Sequence, residues 1–255
     1  MKKRKENKKA SFFQDRAEEL RRLNNCLVSL FSDSLDGFSP LLEEAKKLEE
    51  KSHLLDSFTT WGYSIHDLIL PVGSIRNIEP NGITARLCID CEIEADIENW
   101  EKEKHGDPFS SYSFRVSVFG EQDGIRYSRG FHIDRDVASE SNEIHPLYHM
   151  HFYDGRYDNG RSLIDKEQNR GSISIRSPRF PFYPLDIVLG IGFCLQNYHT
   201  KDMFTNLYSK GDIFSRMYRD SQKRIIEPYF LAISGIIETR RVNWKDNHLL
   251  CPQIV

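Results

Sequence analysis

A chain of 255 residues with 39% hydrophobic and 12% aromatic side chains can build a large core, which excludes general disorder. A formal net charge of −3 creates no global field toward nucleic acid or membrane, so any such binding has to be local. The cysteines Cys26, Cys88, Cys91, Cys194 and Cys251 are odd in number and scattered, and no charged-then-apolar leader or apolar run of about 18 residues occurs; the chain is expected in a reducing cytoplasm, without a membrane span.

The chain opens on Lys2, Lys3, Arg4, Lys5, Lys8 and Lys9 against Glu6. Such a run reads as a frayed, solubilising terminus, with a nucleic-acid arm as the alternative. Phe13, Ala17, Leu20, Leu23, Leu27, Leu30 and Phe31 then recur at three- and four-residue steps, the stripe of an amphipathic helix. Asp33 to Gly37 breaks it, and Ser39-Pro40 starts a second helix, with Ser as cap and Pro in the first turn. That helix runs through Leu41, Leu42, Ala45 and Leu48 toward Leu54–Leu55. A short connection predicts an antiparallel pair, so residues 1–60 form a basic tail and helical hairpin, and 61–255 an α+β domain.

From about Ile65 the period changes, and Asn81-Gly82 marks a turn. Over Ile83–Trp100 the chain alternates: Ile89, Cys91, Ile93, Ala95 and Ile97 fall on one face, Asp90, Glu92, Glu94, Asp96 and Glu98 on the other. Period two means a half-buried strand. The carboxylate row reads as a charged edge or solvent face, paired with Arg86, Arg115 or Arg126, or as a metal ladder. Cys88 and Cys91 have C-x-x-C spacing, but on a strand they point to opposite faces and no second pair completes a zinc set.

Two further strands are predicted, Tyr112–Phe119 and Ile125–Asp134, joined by a hairpin loop. The next, Leu147–Phe152, lies in the most histidine-rich stretch, His145-Pro-Leu-Tyr-His-Met-His-Phe152. By alternation His149 and His151 point one way while Tyr148, Met150 and Phe152 point the other; His132 and Asp134 share a face one strand earlier. In suitable register, His132, Asp134, His149 and His151 share one sheet face, with His145 at its margin. Paired imidazoles and a carboxylate suit an open divalent-metal site or metal-free acid–base chemistry on a phosphodiester. They equally suit a polar outer face bonded to its neighbours.

Asp154-Gly155 and Asn159-Gly160 predict a loop or short hairpin, and Ser172–Ile175 a short strand. Three prolines within Arg176-Ser-Pro-Arg-Phe-Pro-Phe-Tyr-Pro184 force an extended path that holds Arg176 and Arg179, either as an anion clamp or as structural ties to carbonyls. Pro184 is expected to open a helix that is apolar almost all round, from Leu185 to Leu195, and therefore buried. Asp212 is expected to cap a helix that kinks at Pro228; on it Arg216, Arg219 and Lys223 form one basic stripe.

The pattern His145-Pro-x-x-His149-x-His151, followed by the Pro-rich turn and the apolar helix from Pro184, resembles that of uncharacterised bacterial proteins of similar length found in anti-phage and mobile-element gene neighbourhoods. The resemblance covers about residues 110–200 and not the N-terminal hairpin. It implies a bacterial intracellular setting and carries over no catalytic set.

The expected fold is α+β: an N-terminal helical pair, a central antiparallel sheet of about four to five strands, and C-terminal helices packed on one face. The expected function is a non-enzymatic binding module, in an anti-phage system, that needs no cofactor. It contacts nucleic acid or a protein partner through a His/Arg polar face, with Arg176, Arg179, Arg216, Arg219 and Lys223 on phosphates or acidic groups. The alternative is a nuclease-like phosphodiesterase in which His149, His151, His132 and Asp134 bind a divalent metal or act as acid and base.

Overall fold

The computed structural model describes residues 2–31, 38–54, 58–72, 83–101, 106–123, 125–136, 146–154, 157–158, 161–162, 180–210, 212–239 and 250. Helix α1 spans Lys2–Leu30 and α2 spans Ser39–Ser52. The basic run continues the backbone of α1 instead of fraying, as Lys, Arg and Glu are good helix formers. The predicted stripe is real: Phe13, Ala17, Leu20, Leu23 and Leu27 are buried. Phe31 after α1 packs beside Phe38 before α2, and Arg21 pairs with Glu49 near the far end of α2, so the two helices run antiparallel. Ser39, expected as the cap, is instead the first helical residue; Phe38 stands at the cap position without a side-chain bond. The second helix stops at Ser52, short of Leu54–Leu55.

The sheet is antiparallel throughout, in the order β1-β2-β3-β4-β5-β8. Its long strands are β1 (Thr60–Pro71), β2 (Thr84–Asp96), β3 (Ser111–Gln122), β4 (Ile125–Arg135) and β5 (Tyr148–Asp154). The pairs β6 (Tyr157–Asp158) and β7 (Arg161–Ser162) form a separate ribbon, and β8 (Phe180–Pro181) closes the order. The predicted strand at 172–175 lies outside the described residues. The carboxylate strand ends at Asp96, four residues before Trp100, because the Asp96 side chain accepts the Asn99 N–H at 2.9 Å and starts the short helix α3 (Ile97–Glu101).

All helices whose packing is described lie over one face. Ile65, Leu68, Ile89, Cys91, Phe114, Val116, Ile133 and Met150 form the sheet's share of the core. Against them lies α4 (Ile187–Tyr198), apolar on nearly every side and buried from Ile187 to Gly192. Gly190 allows the approach: a Cβ there would sit 2.3 Å from the Phe114 ring. Behind α4 come α5 (Lys201–Lys210), α6 (Asp212–Ser221), one π-helical turn (Gln222–Ile226) and α7 (Glu227–Thr239). The expected kink near Pro228 takes the form of this π turn, in which the Glu227 N–H reaches back to the Gln222 carbonyl.

Pro184 does not open α4. Asp186 is its cap, accepting the Leu189 N–H at 2.8 Å. On either side of Asp186, the Leu185 N–H donates to the Tyr112 hydroxyl at 2.8 Å and the Ile187 N–H to the Tyr63 hydroxyl at 3.0 Å. Asp186 is only 5% exposed, and burial pushes its carboxyl from an ordinary 3.8 up to about 6, against the opposing pull of the Leu189 N–H and nearby Ser221 and Arg224. Ser221 itself, 1% exposed, stops short of full hydrogen-bond geometry.

Between these two pKa values the folded chain holds a proton that the unfolded chain has released. The contribution of Asp186 to stability therefore falls as pH rises from about 4 to about 6, and is flat above, by about 3 kcal/mol in all. Asp186→Asn keeps a good cap without the charge. In urea titrations it is expected to equal the wild type near pH 4 and to exceed it by about 2–3 kcal/mol at pH 7.5. Equal stability of the two proteins at both pH values would show that the carboxyl is not penalised.

Candidate functional site

The face of the sheet turned away from α4 is polar, and the ladders set its layout. His132 pairs with His151 and Asp134 with His149; Arg115 pairs with His132 and Ser113 with Asp134. One strand further, Asp90 lies opposite Arg115 and Glu92 opposite Ser113. The four residues singled out in the sequence, His132, Asp134, His149 and His151, are thus brought together on neighbouring strands. His145 lies outside the described residues, as do Arg176 and Arg179.

Asp134 is the hub. Its Oδ1 accepts the Ser113 hydroxyl at 2.9 Å, and its Oδ2 lies 3.0 Å from His132 Nε2. Burial alone would raise the Asp134 pKa, but His132, by hydrogen bond and charge, then Ser113 and the nearby His149 hold it below the usual carboxylate range. The His132 and His151 rings stack at 4.7 Å between centroids, and His149 meets His151 edge-on at 4.6 Å. His149 is 2% exposed, and its Nδ1 sits 2.9 Å from the Pro146 carbonyl. A carbonyl only accepts, so Nδ1 carries a proton.

A second network fixes the start of β5. Half-buried Asp107 takes Arg135 Nε and Nη2 at 3.0 and 2.9 Å and the Tyr148 hydroxyl at 2.5 Å. Burial still leaves its carboxyl above the ordinary range, despite the Arg135 guanidinium and the Tyr148 hydroxyl. Tyr148 immediately precedes His149, so this contact positions the histidine strand from the apolar side. No local signal in the sequence marked Asp107, Ser113 or Arg135, since each acts on a residue 21 or more positions away.

The carboxylate row of β2 lies on the same face. Among the Arg partners expected for it, Arg115 comes within 3.9 Å of Asp90, Arg86 is exposed, and the Arg126 side chain is outside the described residues. His66 of β1 stands 4.0 Å from Glu92. For a metal, the set with donor atoms mutually within 4.8 Å among the described residues is Asp67, Cys88 and Asp90, not the histidines. Burial, then the charges of Asp90 and Asp67, push the Cys88 thiol up to about 12, so without an ion it keeps its proton at neutral pH.

Arg216, Arg219 and Lys223 are exposed, but on the helical layer. Phe214 and Met217 of α6 point into the core, Tyr218 packs against Gly192 of α4, and α4 rests on Phe114. The sheet therefore separates this stripe from the histidines.

Fold and site together define the class: an α+β chain with one helix-covered face and one polar sheet face built around an Asp134–histidine array. No family model, no curated protein and no solved structure matches the chain.

Asp134→Asn weakens charge-assisted bonds to His132 and Ser113. The side chain is 35% exposed, so the loss is discounted for solvent to about 1 kcal/mol at pH 7. A depressed carboxyl contributes stability that is present above its unfolded pKa and lost as pH falls through the folded value. Chemical denaturation of the two proteins is expected to show a gap near pH 7 that closes below about pH 4; a gap independent of pH would contradict this assignment.

Proposed function

We propose that the protein is a non-enzymatic binding module that engages a partner protein through the polar face of its sheet. The observation that supports this best is the division of charge on that face. Asp90, Glu92 and Glu94 occupy the β2 side, while on the β3–β5 side Arg115, His132 and His151 surround the single carboxylate of Asp134. A nucleic-acid backbone is negative throughout and would meet the carboxylates beside the imidazoles. A protein segment with charges of both signs fits both halves. Against catalysis stands the engagement of the array with itself: both oxygens of Asp134 are bonded, and His149 is buried with Nδ1 committed to a backbone carbonyl. The intracellular bacterial and anti-phage setting rests on the resemblance of the His145–His151 pattern alone.

A photo-crosslinker placed at Ser117, on the same face beside Gly130, tests this in native cells. It is expected to give a protein adduct that His132→Ala/His151→Ala abolishes, while a crosslinker at Arg219 on the helical layer gives none. Fluorescence anisotropy with RNA and single-stranded DNA at low salt is expected to show no salt-dependent binding. Adducts to nucleic acid, or adducts indifferent to the double substitution, would overturn the proposal.

A second reading has one specific support. His132 is oriented through Nε2 by a carboxylate, the arrangement that prepares an imidazole for acid–base work on a phosphodiester. Under that reading, nuclease activity with or without added divalent metal disappears in both His132→Ala and His151→Ala. No histidine-dependent cleavage in either condition removes it.

A further inference from the structure

Two arginines of the sheet stand in opposite situations. Arg135 is 10% exposed and gives Asp107 two hydrogen bonds from its guanidinium. Arg115 is 54% exposed and hydrogen-bonds nothing among the described residues. Its ion pair, Nη1 to Asp90 Oδ2, spans 3.9 Å, too long for a hydrogen bond. Asp90 is engaged instead through its other oxygen, which accepts the Asp67 N–H at 2.9 Å. The planar set of donors on Arg115 is therefore unspent, and an exposed pair at that distance costs little to give up.

Register decides what surrounds this side chain. Arg115 pairs with Asp90 on one side and with His132 on the other, and His132 pairs with His151. Directly paired side chains on one sheet face stand about 5 Å apart, so these four form one row across four strands, negative at its β2 end. His132 is turned by Asp134 through Nε2 and stacks on His151, so the neighbours of the guanidinium are fixed while the guanidinium itself is not tied down. An arginine donates two parallel bonds to a carboxylate, and Asp90 Oδ2 can meet another cation once Arg115 has left it. We infer that Arg115 selects the partner: on binding, its pair with Asp90 is exchanged for a two-bond pair with a carboxylate of the partner beside His132, and Asp90 receives a basic side chain of the same segment. This rests on the reading of the polar face as a protein-docking surface and makes it specific. The docking segment carries an acidic and a basic side chain about one strand spacing, roughly 5 Å, apart.

The crosslinker at Ser117 in native cells reads this out, because Ser117 lies between two arginines: Arg115 two residues before it, and exposed Arg86 two residues before its pairing partner Cys88. Arg115→Lys keeps the charge and loses the fork, and is expected to lower the yield of the protein adduct at least about tenfold. Arg115→Glu is expected to abolish the adduct, and Arg86→Gln to leave its yield unchanged. Mass spectrometry of the wild-type adduct gives the partner segment. Changing the acidic residue of that segment to lysine is expected to restore the adduct with Arg115→Glu and to remove it with the wild type. Should Arg115→Glu not fold beside Asp90, Asp90→Lys/Arg115→Glu keeps opposite charges paired and replaces it, with the basic residue of the segment reversed as well. An adduct that survives either Arg115 variant, one lost equally in Arg86→Gln, or a crosslinked segment without an acidic residue overturns the inference and leaves the protein-docking reading in place. No protein adduct from the wild type overturns that reading, and this inference with it.

Discussion

Two tyrosine hydroxyls and one aspartate hold the start of α4 on the sheet. Tyr63 of β1 and Tyr112 of β3 accept the N–H groups of Ile187 and Leu185, and Asp186 between them caps the helix through Leu189. The Ile187 and Leu189 groups are orphan donors of the helix end and Leu185 is a backbone donor just before it, and each would be costly if buried unpaired. Because α4 is apolar nearly all round, it has to be covered on both sides. The sheet covers one side and the later helices the other, with Gly190 and Gly192 letting Phe114 and Tyr218 come close. The raised pKa of the ionisable group at the centre of this junction is the cost of using a carboxyl as a buried cap.

Among the described residues, the helices stack on one side and leave the opposite face of the sheet to its own polar side chains. That face can hold a row of carboxylates next to a row of imidazoles only if the charges are arranged. Asp134 takes two donors, Arg115 sits between Asp90 and His132, and His149 turns its Nδ1–H into the backbone. The apolar side supports the arrangement. Tyr148, tied to Asp107 and Arg135, fixes where β5 begins and so which imidazole meets which carboxylate. A one-residue slip in β5 would send His149 and His151 into the core and Tyr148 out to solvent.

Much of this was legible because parity is legible. Alternation in 83–96 separated Cys88 from Cys91 and the carboxylates from the core, and the same arithmetic placed His132, Asp134, His149 and His151 on one face. The strand β1 was not legible. Its buried residues run Trp61, Tyr63, Ile65 and then Leu68, Leu70, so the extra residue at the bulge breaks the period that identifies a strand. Cap positions also misled. Ser39 and Pro184 are good initiators by type, yet the helices begin beside Phe38 and Asp186, where tertiary contacts with the neighbouring layers decide. Nor did the spacing of Arg216, Arg219 and Lys223 say which layer they would occupy; that depends on α6 packing behind α4, a long-range fact.

The bulge that hid β1 from the sequence is also what limits its edge. A regular twelve-residue strand at the margin of a sheet would offer outward backbone groups along its whole length. Asp67, with its positive φ, interrupts that row, and its own N–H turns to Asp90 Oδ1 at 2.9 Å rather than to a neighbour beyond the edge. Glu44 occupies the outward amide of Ser64, whereas Asp90 of β2 holds the Asp67 amide at the bulge toward the sheet. One comes from the preceding helix and the other from the adjacent strand. The acidic residues around β1 are therefore not only a solvated surface. Some of them terminate the sheet, and the polar face and the guarded edge are products of the same placement of charge.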